Sequence, residues 1–295
     1  MSWLRLSFDA SLRPATVGHA TPLRFAITAC LVLAAASADR AMAADWPLRG
    51  SLAPSYARWD GWQFGVQAGY GSLHDDGRSA GPLVASILTN TTLQAEAVPS
   101  DWAILPANTT NGPVFGAFLG YNWQWDELVV GWDLAYKHPS ILQSSMGGSL
   151  ERTFTTSDQV AHDVTIAAQS SFKLVDYATL RARAGYAFGQ SLPYAVAGVA
   201  VGRFNYQTSV TVNDNMTWTG TGTSPVPGVP GTFQQSASAG RNNVFTFGVA
   251  AGLGVDWAVT PAVFLRAEWE YIAYDTVGGS RPNTNTGQVG AGVRF

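Results

Sequence analysis

Cysteine is almost absent from this chain. Cys30 is the single one among 295 residues. From Ala44 onward there is none, so disulfides, common in exported proteins, take no part in holding the fold. Charge is scarce too: charged residues make up 13% of the sequence, against about 25% in soluble domains. The formal net charge of −3 supplies no basic face of the kind nucleic acid requires. Long apolar runs are missing as well. The stretch 25–36 falls short of the about 20 residues a spanning helix needs, and no later segment is apolar enough. His74, His138 and His162 show no paired spacing, which argues against a dedicated metal site. What is abundant is glycine, with 31 residues, and tryptophan, with 11.

The N-terminal region has the order of an export signal. Arg5, Arg13 and Arg24 precede the apolar run, and Ala41-Met42-Ala43 fits the small-x-small pattern of a cleavage site. Residues 1–43 are therefore predicted to be a removed signal peptide. Residues 44–59, with Pro47 and Pro54, read as a periplasmic extension, and residues 60–295 as the folded domain.

That domain alternates with a two-residue period. In 61–71, Trp62, Phe64, Val66, Ala68 and Tyr70 fall on one face, with Gln63, Gly65, Gln67 and Gly69 on the other. Such alternation marks a strand with one oily and one polar side. Similar strands are predicted at 113–125, 128–138, 173–188, 193–206, 243–258, 262–275 and 287–295. Connections are short at 126–127, 190–192 and 260–261, intermediate at 277–285, and long at 72–112, 139–172 and 207–242. An exported, charge-poor, aromatic-rich chain with this layout is predicted to be an all-β, transmembrane, antiparallel up-and-down barrel of eight strands with long extracellular loops. A further hairpin within 139–172 would raise the count to ten. The last strand puts Val289, Ala291, Val293 and Phe295 on one face, and pairing with the first strand would close the sheet and remove its free edge.

In a barrel of this size the polar faces point into an interior just wide enough for side chains to fill. The inward set is expected to contain Asp133, Lys137, Arg181, Arg183, Arg203, Asp256, Arg266, Glu268, Glu270 and Arg294. Buried charges must be paired. The expected pairings are Arg181 and Arg183 with Asp133, and Arg266 or Arg294 with Glu268 and Glu270. The phase of 193–206 is ambiguous, and Arg203 and Asn205 suggest that odd positions there point inward.

Four motifs also carry a resemblance. W-x-F-G-V-x-A-G-Y-G at 62–71, T-L-R-A-R-A-G-Y-A-F at 179–188, L-P-Y-A-V-A-G-V-A-V-G at 192–202 and the terminal G-A-G-V-R-F resemble the small outer-membrane β-barrel family of alphaproteobacteria, porin-like or surface-antigen barrels. The resemblance implies an outer-membrane location, outer-membrane lipids as surroundings, and barrel-assembly machinery that reads the terminal aromatic Phe295. It implies a structural or surface role: envelope integrity and contact with a host or small molecule at the loops. A narrow porin-type channel is the alternative. Haem binding by His138 or His162 is a further one.

The segment 77–81 matches G-x-S-x-G, with His74, Asp75 and Asp76 nearby. A nucleophile elbow needs a strand before it and a helix after it; the segment reads instead as a polar loop, and loop-borne hydrolase activity through Ser79 and His74 stands as a further alternative. Gly65/Gly69, Gly116/Gly120, Gly198/Gly202 and Gly248/Gly252 match G-x-x-x-G, but on strands this only places glycines on one face. No catalytic residues, cofactor or metal ligands are expected.

Overall fold

The computed structural model describes residues 57–89, 91 and 104–295. The expected signal peptide and most of the N-terminal extension lie outside the described residues. The described chain forms β1 (Gly61–Asp75), a 3-10 turn (Arg78–Ala80), α1 (Gly81–Leu88), β2 (Asn108–Trp125), β3 (Leu128–Pro139) and β4 (Gln143–Thr155). Then follow β5 (Val160–Tyr186), β6 (Ser191–Trp218), β7 (Gly231–Ala258), β8 (Val263–Tyr274) and β9 (Asn283–Arg294).

All pairings are antiparallel. β1 lies between β2 and β9, with Gln63 beside both Gly120 and Arg294. β3 pairs with β5, Asp133 standing beside Arg181, and this closes the ring in the order β1-β2-β3-β5-β6-β7-β8-β9. The wall is therefore eight-stranded. β4 is a ninth strand that continues the line of β3 along β5: Lys137 stands beside Tyr177, and Gln143 beside Lys173. The hairpin within 139–172 thus exists but adds no strand to the wall. Asp126, in the left-handed region at φ 49°, turns the chain between β2 and β3, as two-residue hairpins require.

The outer face is apolar over much of its surface. Phe64, Val66, Leu134, Leu180, Val199, Phe247, Val249, Leu253 and Leu265 are exposed. Trp123, Trp125, Trp257, Tyr70 and Tyr136 are exposed near the strand ends, where aromatic girdles meet the membrane interfaces. No helix among the described residues is long and apolar enough to cross a membrane, and the sheet satisfies its backbone by pairing, as hydrocarbon demands.

Two predicted loops are corrected. Most of 139–172 and 207–242 is strand. β5, β6 and β7 run to 27, 28 and 28 residues, on the order of 90 Å at about 3.3 Å per residue. A transmembrane strand needs only about 9–11 residues, so these strands project far beyond the bilayer. Their outer parts, with β4, form a sheet that receives α1. Val84, Ile87 and Leu88 of the helix pack on Met146, Val164, Ile166, Ala168, Val210 and Val212. Eight residues make a marginal helix in isolation, and no side-chain cap closes its N-terminus, so this packing is what holds it.

The change from wall to extension occurs at a break in register. Leu174 faces Phe204, but Asp176 faces Arg203, so β5 carries one extra residue, Val175. A bulge of this kind inverts which side chains point inward. Above it Val164, Ile166, Phe172 and Leu174 are buried; below it Thr179, Arg181 and Arg183 are. β7 has a matching irregularity: Phe204 faces Val244 while Tyr206 faces Arg241, with Asn243 left-handed at φ 57°. β6 keeps one phase throughout.

Candidate functional site

The inward face of the barrel carries a connected set of charges. Lys137 Nζ lies 2.5 Å from Glu270 Oε1. Arg181 donates to Glu270 Oε2 at 2.5 Å, to Glu268 Oε1 at 2.6 Å and to Asp133 Oδ1 at 2.5 Å. Arg266 donates to Asp133 Oδ2 at 2.9 Å and through Nε to Asp256 Oδ1 at 2.9 Å. Arg183 donates to Asp256 Oδ2. The chain of contacts joins four cations (Lys137, Arg181, Arg183, Arg266) to four anions (Asp133, Asp256, Glu268, Glu270). The charges balance, and each of these residues is at most 4% exposed.

Strand order explains the reach of these pairs. β3 and β8 face each other across the ring, with three strands between them on either side. Asp133–Arg266 and Lys137–Glu270 therefore bridge opposite walls. Arginine suits this role because its planar fork serves several carboxylates at fixed angles. Arg181 does so with three.

Neutral side chains complete the set. Tyr194 donates its hydroxyl to Glu268 Oε2 at 2.8 Å, and Gln288 donates to Glu268 Oε1 at 2.6 Å. The Arg183 guanidinium lies 3.6 Å from the centre of the Tyr194 ring, and that of Arg266 lies 3.9 Å from the centre of Phe118. Such stacking places cations on the negative face of a ring. Glycines make room for it. A Cβ on Gly254 would meet the Tyr194 ring at 2.4 Å, and one on Gly292 would meet Phe264 at 2.4 Å.

Apolar side chains form separate clusters at either end. Toward the short turns, Trp59, Phe118, Val129, Leu192, Ala258 and Phe264 cluster. Asn122 Nδ2 donates to the Trp59 carbonyl at 3.2 Å, and the Trp59 N–H donates to Gln124 Oε1 at 2.5 Å. Toward the extension, Leu73, Leu142, Phe172, Leu174, Phe204 and Tyr274 cluster.

Several expected positions are corrected. Arg183 lies against Asp256 rather than Asp133. Arg266 reaches Asp133 and Asp256 rather than Glu268 and Glu270. Arg294 forms no ion pair with a carboxylate among the described residues: its Nε donates to the Pro261 carbonyl at 2.7 Å, and its guanidinium lies 4.2 Å from the Trp59 ring centre. Arg203 is not in the lumen. Even positions of β6 point inward, Phe204 among them, so Arg203 faces outward and forms an ion pair with Asp176, which also accepts from Tyr136 at 3.1 Å. The phase of β6 misled because its small residues occupy both faces. Trp59 and Tyr194 were not anticipated, and Gln63 and Gln288, read on the polar faces of the first and last strands, were not foreseen as partners of the charges. The strict alternation of β1 and β9 carried the signal for the two glutamines, whereas nothing in residues 44–59 marked Trp59 for burial.

The remaining motif residues fall elsewhere. The segment 77–81 does sit between a strand and a helix, contrary to the loop reading. Ser79 is buried, however, and its hydroxyl donates to Ser170 Oγ at 3.0 Å, while His74 Nδ1 lies 2.9 Å from Thr109 Oγ1. His138 is exposed on β3. His162 is buried, its Nδ1 2.7 Å from Asp214 Oδ2 and its ring stacked on Phe154.

Solved structures similar to this chain are outer-membrane proteins. Ail of Yersinia pestis, in complex with the heparin analogue sucrose octasulfate, shares 13% identity over 80% of this chain and 99% of its own, at a TM-score of 0.33. Neisserial surface protein A shares 14% over 79% and 97%, at 0.33. OprG from Pseudomonas aeruginosa shares 10% over 80% and 97%, at 0.36. Comparison with curated protein sequences found no match. The profile of the outer membrane protein beta-barrel domain matches residues 26–295, nearly the whole sequence. The chain thus belongs to the outer membrane protein beta-barrel family, and its place is the outer membrane.

Proposed function

We propose that this protein is a non-enzymatic, closed barrel with a structural and surface role: the wall anchors it, the lumen does not conduct, and the outer extension meets the surroundings. The observation that carries this reading is the balanced set of eight buried charges bridging opposite walls. A water-filled path would hydrate and screen such groups, and there would be no need to match each charge with another. The apolar clusters around Trp59 and around Phe204 lie at the two ends of this set and favour closure in the same way. The exposed Phe295, whose N–H donates to the Trp62 carbonyl at 3.1 Å, is proposed as the aromatic signal offered to barrel-assembly machinery.

Single-channel recording on refolded protein in planar bilayers tests the central part. The expected record is flat, and Arg181→Ala or Trp59→Ala is expected to introduce conductance. Sustained, well-defined conductance of the unaltered protein would establish the channel reading instead.

A further inference from the structure

A groove of about 440 Å³ opens where β4–β7 leave the oily belt. Lys173 and Arg241 line it, together with the amide-bearing Gln143, Asn205, Gln207 and Asn242. No carboxylate lines it among the described residues. The two register breaks build it: Lys173 sits just before the extra residue Val175, and Arg241 and Asn242 sit in the irregular turn of β7. Asn205 holds that turn by accepting the Asn243 N–H at 2.7 Å.

Its height on the wall is set by its neighbours. On β7 the exposed Phe245 and Phe247 come next toward the membrane, and on β6 the next outward residue is Arg203. The groove therefore stands at the outer rim of the apolar belt, at the level of lipid headgroups. The carboxylate of Asp176 on this rim is already engaged by Arg203 and Tyr136. Neither Lys173 nor Arg241 forms an ion pair with a described residue. The contrast with the lumen is chemical: there every arginine and lysine of the balanced set has its carboxylate, here two cations share one concavity without any.

We infer that this groove binds a phosphorylated sugar headgroup. The ammonium of Lys173 and the guanidinium of Arg241 would take phosphate oxygens, guanidinium doing so as a fork. The amides of Gln143, Asn205, Gln207 and Asn242 suit the sugar hydroxyls and ring substituents, each having a donor and an acceptor. Phe245, Phe247 and Val199, exposed on the wall below, offer a surface for acyl chains of a glycolipid carrying that headgroup. The same headgroup chemistry can come from an outer-leaflet glycolipid or from a soluble sugar phosphate.

The test uses the full folded chain in detergent micelles and native mass spectrometry. The probes are a bisphosphorylated, acylated disaccharide lipid, the same lipid without its phosphates, and glucose 1-phosphate. The bisphosphorylated lipid is expected to be retained and the dephosphorylated one lost. The double variant Lys173→Gln/Arg241→Gln is expected to bind it roughly tenfold to thirtyfold more weakly, from the loss of two cations at a lipid surface. Arg281→Gln, an exposed cation elsewhere, is expected to bind as the unaltered protein does. Competition by glucose 1-phosphate at equal concentration supports the groove and assigns it a soluble ligand; its failure supports the groove and assigns a lipid. Unchanged binding by the double variant, or equal retention of the dephosphorylated lipid, overturns the inference. Unaltered heat-modifiable migration of the double variant on a detergent gel shows that its barrel is intact.

Discussion

The lumen and the outer extension share β5, β6 and β7, yet their interiors are opposites. Inside the wall, the buried inward side chains include Arg181, Arg183, Arg266 and their carboxylates. In the extension they are Val164, Ile166, Val210 and Val212, packed with the apolar side of α1. The difference follows from what lies outside. A wall facing acyl chains must present apolar side chains there, so its polar residues have only the interior left. A sheet facing water can present polar side chains outward and bury apolar ones in the ordinary way. One added residue in β5, Val175, and one irregular turn in β7 allow the same strands to obey both rules.

Removing the switch residue should have the largest effect. Deletion of Val175 should bring β5 back to one phase and turn Val164, Ile166 and Phe172 toward solvent. At about 1.5–3 kcal/mol for each large apolar side chain, the extension should lose roughly 5–9 kcal/mol. Limited proteolysis should then cut within 143–172 while a barrel-sized fragment stays heat-modifiable. Arg181→Ala acts on the other region. It leaves Asp133, Glu268 and Glu270 without their shared partner, and breaking a buried pair costs about 3–5 kcal/mol. The urea midpoint of the wall should fall, and protection of the extension against protease should not.

Leu88→Ala should do the reverse. It removes a fully buried side chain of α1 at a cost of about 3 kcal/mol, and protease protection of the extension should fall while the urea midpoint of the wall holds. The smallest effect is expected for Arg203→Ala. Its ion pair with Asp176 lies on the outer wall with the arginine side chain 34% exposed, and partly exposed pairs contribute under about 1 kcal/mol. A shift of the wall midpoint as large as that of Arg181→Ala would place Arg203 back among the lumen charges.

The wall was largely legible from the alternation alone. Phe245, Phe247, Val249 and Leu253 against Thr246, Gly252 and Asp256 admit one orientation, because a single slip exposes every oily residue to the lumen. Identities of the lumen charges followed from that, Arg203 excepted. Partners did not, since a period tells which face a residue occupies and nothing about which residue stands across the ring. Asp133 and Arg266 are far apart in sequence and meet only because β3 and β8 are opposite. The outer parts of β5–β7 were hidden for another reason. Stretches such as Thr208–Ser209–Val210–Thr211–Val212–Asn213 alternate between small polar and small apolar residues, a weak contrast beside the aromatic strands. The helix was hidden by its length, and the burial of Trp59 by its position at the end of 44–59, a stretch with no period.

The phase reversal along β5 can be read residue by residue. Single cysteines placed in turn from residue 162 to 183, in a Cys30→Ser background, would be spin-labelled in reconstituted bilayers and probed with oxygen, which dissolves in lipid, and a nickel chelate, which does not. Labels at Leu180 and Ala182 are expected to meet oxygen, labels at Val164 and Ile166 to meet neither reagent, and the two-residue rhythm to shift by one at Val175. A single unbroken rhythm from Val164 to Ala182, with Ile166 and Leu180 behaving alike, would contradict the reversal.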